Sequence, residues 1–476
     1  MKAGKILIWF RNDLRLQDHE ALCRAIKKNA LVIPFYCFDE RQYENTPLGF
    51  PKTDAFRAKF ITEAIEDLRQ NLQKLGSDLI IRMGKPEEEI IKIVQEQGIK
   101  AVYTHQEVTY EELQLEEKLQ EQLFTQKVVF ETFWGSTLFH LEDLPYPIQS
   151  LPDIFTQFRK SIERRIKVRD SFPRPNALSA LPEDLERGHI PCLKQLGLED
   201  KKIDARSVLD FKGGESAACQ RLRTYLWDQD LLKVYKETRN GLLGADYSSK
   251  FSAWLALGCI SPRVIYEEIK RYEKERISNE STYWLVFELI WRDYFRFVAK
   301  KFGTTLFFKK GIKGELAFKL YDNHKLFEKW KNGETGIPFI DANMIELNET
   351  GFMSNRGRQN VASFLVKDLQ INWTWGAMYF ESILIDYDVC SNWGNWNYIA
   401  GVGNDPRENR YFNIISQAKR YDGKGEYTKY WLPELETLPS NLIHHPMLNR
   451  QEQEQYGVKL GADYPKPMVK FDKWLN

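Results

Sequence analysis

Two carboxylates, an amide and two indoles share one short run of this chain: Asp386, Asp388, Asn392, Trp393 and Trp396. Carboxylates and amides need hydrogen-bond partners once buried. Indoles are broad planar surfaces that bury where something packs against them. Trp373 and Trp375 lie just upstream, so four of the chain's 13 tryptophans fall here, downstream of Arg358. Such residues together describe the wall of a pocket for a large, planar, polar-edged molecule. They point to a cofactor site.

Other groupings could carry chemistry beside it. Glu288 and Trp291 are three apart, so a helix puts them on one face. The apolar stripe Phe287, Ile290, Tyr294 and Phe297 is offset, which leaves the pair free to line a cavity. A carboxylate against an indole in a dry site has its acidity weakened. Asn355-Arg-Gly-Arg-Gln-Asn360 opens a further helical stretch, from which Arg358 can reach Asp386 as a bidentate pair. Tyr247-Ser-Ser-Lys-Phe-Ser252 precedes an apolar run, and places Ser248 and Ser249 where a helix begins, suited to capping or to an anion. Phe158–Arg169 holds six basic residues against one acid, a solvated face or a phosphate-contacting strip.

The elements that must position these groups follow from periodicity. At 476 residues two or three domains are expected. Lys5–Phe10, Leu31–Phe38, Asp78–Met83, Lys100–His105 and Val128–Phe133 read as strands, with helical patterns between them. This alternation predicts a doubly wound parallel α/β domain over 1–145. Residues 146–203 are rich in Pro, Leu and charge without sustained periodicity, and are expected to form a connector wrapping the surface. Residues 204–476 read as helical, with a second stripe at Trp373, Ala377, Phe380 and Leu384. The turn Arg11-Asn-Asp-Leu-Arg15 has no glycine fingerprint, which argues against an ordinary dinucleotide or ATP site there.

Composition excludes several classes. Hydrophobic residues are 43%, charged residues 28% and the net charge +1, so no global nucleic-acid footprint is present. No apolar run of about 18 residues is available to span a membrane. The six cysteines are scattered, which fits reduced thiols and argues against a structural zinc; no metal is expected. Met-Lys-Ala-Gly runs straight into the first strand, so a cytoplasmic, bacterial-type location without a targeting segment is expected.

Taken in order, the motifs resemble the photolyase/cryptochrome family, most closely its cryptochrome DASH branch. The matching phrases include Trp9–Arg15, Phe251–Arg263, Glu288–Asp293, Thr335–Asn343, Asn355–Asp368 and Asp386–Asp405. The resemblance implies an antenna-type α/β domain followed by a helical domain holding folded FAD. It assigns Tyr235, Ser248, Ser249 and Ser252 to the phosphates and their surroundings. Arg358, Asp386 and Asp388 would line the flavin and ribityl side, with Asn355 nearby and Asn392 beside flavin N5.

The implied reaction is light-driven electron transfer from reduced FAD to a cyclobutane pyrimidine dimer flipped out of DNA. Glu288 would hydrogen-bond the dimer, Asn355 would be a second polar contact, Trp291 an aromatic face, and Arg239 a contact to the lesion or its phosphates. Gln359 and Tyr398 stand where ordinary dimer photolyases carry Met and a second Trp. A wider, wetter pocket of this kind favours single-stranded DNA, where flipping is least costly. Glu107 matches a contact to methenyltetrahydrofolate, the implied antenna. Trp396 and Trp373 match the first two members of an electron relay, whereas the third position is Leu320, which cannot be oxidised. Tyr321 beside it is expected to point elsewhere on a helix, and Trp375 and Trp393 to serve packing. The rival reading is a blue-light photoreceptor with a DNA-binding or transcriptional repressor role and little or no repair. A nicotinamide-dependent flavoenzyme lacks its fingerprint.

Overall fold

β-Branched and aromatic residues concentrate in five short runs, and each forms a strand: β1 (Lys5–Trp9), β2 (Leu31–Asp39), β3 (Ile80–Gly84), β4 (Ala101–His105) and β5 (Val129–Phe133). The computed structural model describes residues 4–316, 318–407, 410–445, 447–470 and 474. The opening Met-Lys-Ala read above therefore lies outside the described residues. All strands are parallel, in the order β3-β2-β1-β4-β5. Leu7 sits opposite Ile33 and Val102, and all three are fully buried. Helices α1 (Glu20–Lys27), α2 (Ala55–Lys74), α3 (Pro86–Gln97) and α4 (Tyr110–Thr125) alternate with the strands. Cover on both faces is why these strands read as unbroken apolar runs. The doubly wound sheet is the one expected from the alternation. Its order reverses at β1, which has β2 on one side and β4 on the other. Beyond the carboxyl ends of strands at such a reversal, α/β sheets hold their ligands.

The 146–203 segment departs from a plain surface wrap. It contains α5 (Phe155–Glu163), whose Phe155, Phe158 and Ile162 are buried. Three apolar positions over nine residues are too few to stand out as a period, and their burial depends on a distant partner. Leu181 and Leu185 pack into the cluster on one face of the sheet.

Downstream, the helical reading holds. The elements are α6 (Glu215–Arg223), α7 (Tyr235–Thr238), α8 (Ser252–Ala256), α9 (Pro262–Glu275) and α10 (Glu280–Phe302). They continue with α11 (His324–Lys331), α12 (Pro338–Thr350), α13 (Asn355–Ser363), α14 (Trp373–Ile383) and α15 (Val389–Ala400). The central α10 is launched by a capping box at Asn279 and is buried along Leu289, Ile290, Tyr294 and Phe297.

Buried polar contacts fix the two halves against each other. Asp293 on α10 accepts the backbone N–H groups of Leu138 (2.9 Å) and Phe139 (2.8 Å). Arg15 donates to the Gly258 carbonyl at 2.9 Å, and Asp18 pairs with Arg263 at 2.7 Å. Gly258 has φ +63°, and a Cβ there would lie 2.0 Å from the Asn12 carbonyl oxygen, so only glycine permits this approach. Among the described residues no helix is long and apolar enough to cross a membrane.

Candidate functional site

Two groupings of candidate residues stand out. One is a cleft of ≈ 1190 Å³ beyond the carboxyl ends of β1 and β4, lined by Trp9, Arg11, Asn12, Glu107, Arg292 and Asp388 among others. Glu107 is buried at its floor, pairs with Arg296 and accepts from Asn12 Nδ2 at 3.3 Å. The Arg296 charge holds its carboxyl below the usual range, although burial opposes this. An exposed helix-start glutamate would have no such partner. Arg11 pairs with Glu116 in the same wall.

The second grouping lies between the turn before α8, α12, α13 and the residues just before α15. Arg358 donates from Nη2 to Asp386 Oδ2 at 2.8 Å and from Nε to the Met353 carbonyl at 2.9 Å. The expected ion pair is therefore present, through one oxygen rather than two. The other oxygen, Asp386 Oδ1, is buried and has no hydrogen-bond partner among the described residues. The same holds for the Tyr247 hydroxyl and Glu346 Oε1. The charges of Glu346, Arg358 and Asp386 all reach Tyr247, so these orphaned groups are near neighbours. Buried polar atoms without partners are costly, and a ligand rich in donors and acceptors resolves them.

Lys250 belongs to this group and escaped the sequence reading. It sits at φ +59° in the turn before α8, is 3% exposed, and lies over the Tyr247 ring at 3.2 Å. It donates to Ser248 Oγ at 3.3 Å. Burial pushes its ammonium down to about 6. Burial likewise pushes the Glu346 carboxyl up to about 8. Ser248 and Ser249 precede α8 rather than start it, and their carbonyls accept from Arg221 at 3.1 Å. Ser252 is the first residue of α8, and Tyr235, buried, the first of α7. The signal for Lys250 was its place inside the serine-rich turn, but burial of a lysine cannot be read from spacing.

The structure separates the two aspartates of the tryptophan-rich run. Asp386 is enclosed with Arg358, whereas Asp388 caps α15 by accepting Ser391 N–H at 2.7 Å and lies 3.5 Å from Arg292 in the cleft wall. Asn392 donates to the Ala377 carbonyl at 3.0 Å.

Glu288 and Trp291 share the half-buried face of α10, as their spacing predicts. Glu288 forms an ion pair with Arg239, whose guanidinium lies 5.0 Å from the Trp284 ring. Trp291 is stacked on Phe155 of α5, 3.6 Å between centroids and 9° from parallel. Tyr398 meets Trp291 edge-on at 6.3 Å and accepts from Arg410 Nη2 at 2.8 Å. Gln359 accepts from Arg356 at 2.8 Å, and Asn355 is exposed at the start of α13. Phe155 was missed because it lies in the segment read as connector.

Trp396 is buried, edge-on to Phe380 at 5.2 Å and to Trp330 at 6.3 Å. A Cβ on Gly376 would come within 2.3 Å of its ring, so that position needs glycine. Trp373 is fully buried, donates to the Lys309 carbonyl at 2.9 Å and lies 5.8 Å from Trp393. Leu320 is buried and Tyr321 is 47% exposed. They lie in an irregular segment bridged to Ile371, not on the helix expected there. Trp375 packs against His324 at 4.6 Å. Among the described residues no cluster of His, Cys, Asp and Glu could hold a metal.

A parallel α/β domain joined to a helical domain with a buried ion pair and orphaned polar atoms suits a bound cofactor, and the comparisons define the class as a flavoprotein. Residues 6–176 match the DNA photolyase family, and residues 284–475 match the FAD binding domain of DNA photolyase. The chain is 55% identical to a cryptochrome DASH of Gloeobacter violaceus, over 98% of this chain and 94% of that one. It is 51% identical to one from Xenopus laevis, over 98% and 90%. Its fold superposes on a Synechocystis cryptochrome with TM-score 0.96 at 53% identity, covering 100% and 98% of the chains. A bacterial class III photolyase from Agrobacterium tumefaciens gives 0.85 at 28%, covering 100% and 96%.

The chain belongs to the photolyase/cryptochrome family, in its cryptochrome DASH branch, and carries that family's FAD-binding domain.

Proposed function

We propose that this protein repairs cyclobutane pyrimidine dimers in DNA under blue or near-ultraviolet light, preferentially in single strands. The observation that carries the reading is Glu288, held by Arg239 beside a Trp291 whose one face is backed by Phe155. A carboxyl group, a cation and a rigid aromatic face at one opening suit a flipped pyrimidine dimer with its phosphates. We divide the chain accordingly into an antenna domain (1–145), a connector (146–203) and a catalytic domain (204–476).

Bound FAD supplies light absorption and one-electron transfer. The orphaned atoms fit it: Asp386 Oδ1 and Glu346 Oε1 accept from N–H or hydroxyl groups, and Lys250 with Ser248, Ser249 and Ser252 suits a pyrophosphate. Tyr235, buried at the start of α7 beside Arg239, is assigned to the same cofactor by the family resemblance. Arg358 and Asp386 would hold fixed charge toward the flavin, with Asn392 on the α15 side, whereas Asp388 stands in the wall of the other cleft beside Arg292. Glu288 steadies charge on the dimer, and Trp291, Tyr398 and Gln359 shape the opening. Arg410, by holding the Tyr398 hydroxyl, keeps that ring turned from the free conformation a phenol would otherwise sample. The cleft beside Glu107 is where a folate antenna would lie.

The deciding experiment illuminates fully reduced protein with dimer-containing single- and double-stranded oligonucleotides. Repair of the single strand in preference to the duplex is expected. Repair of neither supports the rival, a photoreceptor.

Lys250 gives a pH signature. Burial depresses its ammonium, so near pH 7 it is mostly neutral and must take up a proton to pair with a phosphate. FAD affinity is therefore expected to fall as pH rises above about 6. Calorimetry in buffers of different ionisation enthalpy should show proton uptake on binding near pH 7.5, and Lys250→Met should abolish it. Uptake unchanged in Lys250→Met removes this role.

The relay also has an expected behaviour. An oxidised Trp373 has no water contact, its N–H is tied to a carbonyl, and Leu320 offers no further ring. Photoreduction of oxidised flavin should be slow and recombination fast. Transient absorption showing a long-lived, solvent-exposed tryptophan radical counts against this; Trp330→Phe and Trp393→Phe locate whichever route remains.

A further inference from the structure

We propose that Trp393 is the outer electron donor of the relay and that the Glu381 carboxylate takes its N–H proton, an assignment that rests on reading Trp396 and Trp373 as the inner members. A hole left on Trp373 needs a neighbouring ring that can be oxidised. It also needs a base, because an uncompensated charge in a dry interior is costly. Leu320 supplies neither. Trp393 supplies the ring, 5.8 Å from Trp373 between centroids and nearly perpendicular to it at 76°. Glu381 supplies the base. It lies on α14 with Trp373, and the Trp393 indole on α15 donates to its Oε2 at 3.4 Å, both residues being buried. A packing role alone makes no use of that N–H.

The branch through Trp330 has no base. Trp330 donates its N–H to the Val361 carbonyl, as Trp373 does to that of Lys309. Tyr379, 6.2 Å beyond Trp330, donates to the amide oxygen of Asn348. Amide oxygens do not keep a proton, so a hole on these rings stays charged and returns. Burial raises the Glu381 carboxyl above its usual value, against the charges of Lys52 and Arg57, and a more basic carboxylate is the better acceptor. Access follows the same line. Trp393 and Glu381 both line the cleft that contains Glu107, and Trp393 is 7% exposed, whereas Trp373 and Trp330 are fully enclosed.

One electron passes from Trp393 to oxidised Trp373, its final destination being light-excited, oxidised flavin. The Trp393 N–H bond breaks and its proton goes to Glu381, leaving a neutral indolyl radical beside a carboxylic acid. A small thiol in the cleft then gives one electron to the ring, and Glu381 returns the proton to the indole nitrogen. The thiol's own proton goes to water, and two of the resulting thiyl radicals join as a disulfide. Most flashes still end in recombination across Trp396 and Trp373; the fraction that reaches Trp393 survives.

The test illuminates oxidised holoprotein with blue light. Transient absorption follows the radicals in the presence of dithiothreitol, and peptide mass spectrometry locates oxygen added to side chains in air without thiol. In wild type a tryptophan cation radical should convert to the neutral form, and oxygen should accumulate on Trp393. That label needs no variant. Trp393→Phe should lose the neutral radical and the net flavin reduction. Glu381→Gln keeps a hydrogen-bonding side chain but no base, so the cation radical should form without converting. Oxygen on Trp330, Tyr379 or Tyr387 in place of Trp393, or conversion unchanged in Glu381→Gln, overturns the assignment. Trp373→Phe separates it from the reading beneath. Reduction unchanged in Trp373→Phe removes the inner relay as well, whereas reduction lost there but unchanged in Trp393→Phe removes only the outer donor.

Discussion

Glu288→Ala is expected to lower the repair yield about tenfold while FAD remains bound and DNA affinity does not fall. One hydrogen bond to a charged group contributes about 1.5 kcal/mol or more, which is a tenfold change in rate. The direction of the binding change is the more diagnostic part. In the resting protein Arg239 is neutralised by Glu288. Removing the carboxylate frees that cation for a phosphate, so ground-state binding holds or tightens as repair declines. Glu288→Gln separates the two roles, since it frees Arg239 but keeps a hydrogen-bonding side chain. Repair should then lie between wild type and Glu288→Ala. Flash yields and equilibrium binding measured on the same preparations decide it, and equal loss of binding and repair would show Glu288 to be merely structural.

The second large effect is at the Arg358–Asp386 pair. The Asp386 side chain is 2% exposed and Arg358 23%, so removing one partner strands the other charge in a largely dry site. Loss of one member of a buried pair costs about 3–5 kcal/mol. Asp386→Ala is expected to emerge nearly free of flavin, with a low ratio of visible to ultraviolet absorbance, and to melt earlier. Asp386→Asn keeps an acceptor but not the charge, and should bind flavin weakly. The double change Asp386→Leu with Arg358→Met should melt higher than Asp386→Ala while still lacking flavin. That split distinguishes a cofactor contact from a stability contact. Full flavin occupancy in Asp386→Ala would remove Asp386 from the site.

Some of this was legible without coordinates because it is local. Side-chain period sets strand and helix, so the five strands, the face shared by Glu288 and Trp291, and the buried stripe of Trp373, Ala377 and Phe380 follow from spacing alone. The density of indoles and carboxylates likewise marked the cofactor-binding half. The Arg358–Asp386 pair was legible because a buried charge demands its opposite. Errors arose where local pattern was thin. α5 has only three apolar positions, and the segment at Leu320–Tyr321 follows its bridge to Ile371, not its own propensity.

What only the tertiary structure decided involves partners far apart in the chain. Phe155 backs Trp291 across 136 positions, Glu288 meets Arg239 across 49, and Arg296 reaches Glu107 across 189. Lys250 loses its water because Tyr247, Phe352 and the Glu346 region close over it. The sequence by itself determined which residue types were present and which face of its own element each would occupy. Burial and charge pairing are properties of assembled surfaces, and these alone set which oxygen is left orphaned and which cation is matched.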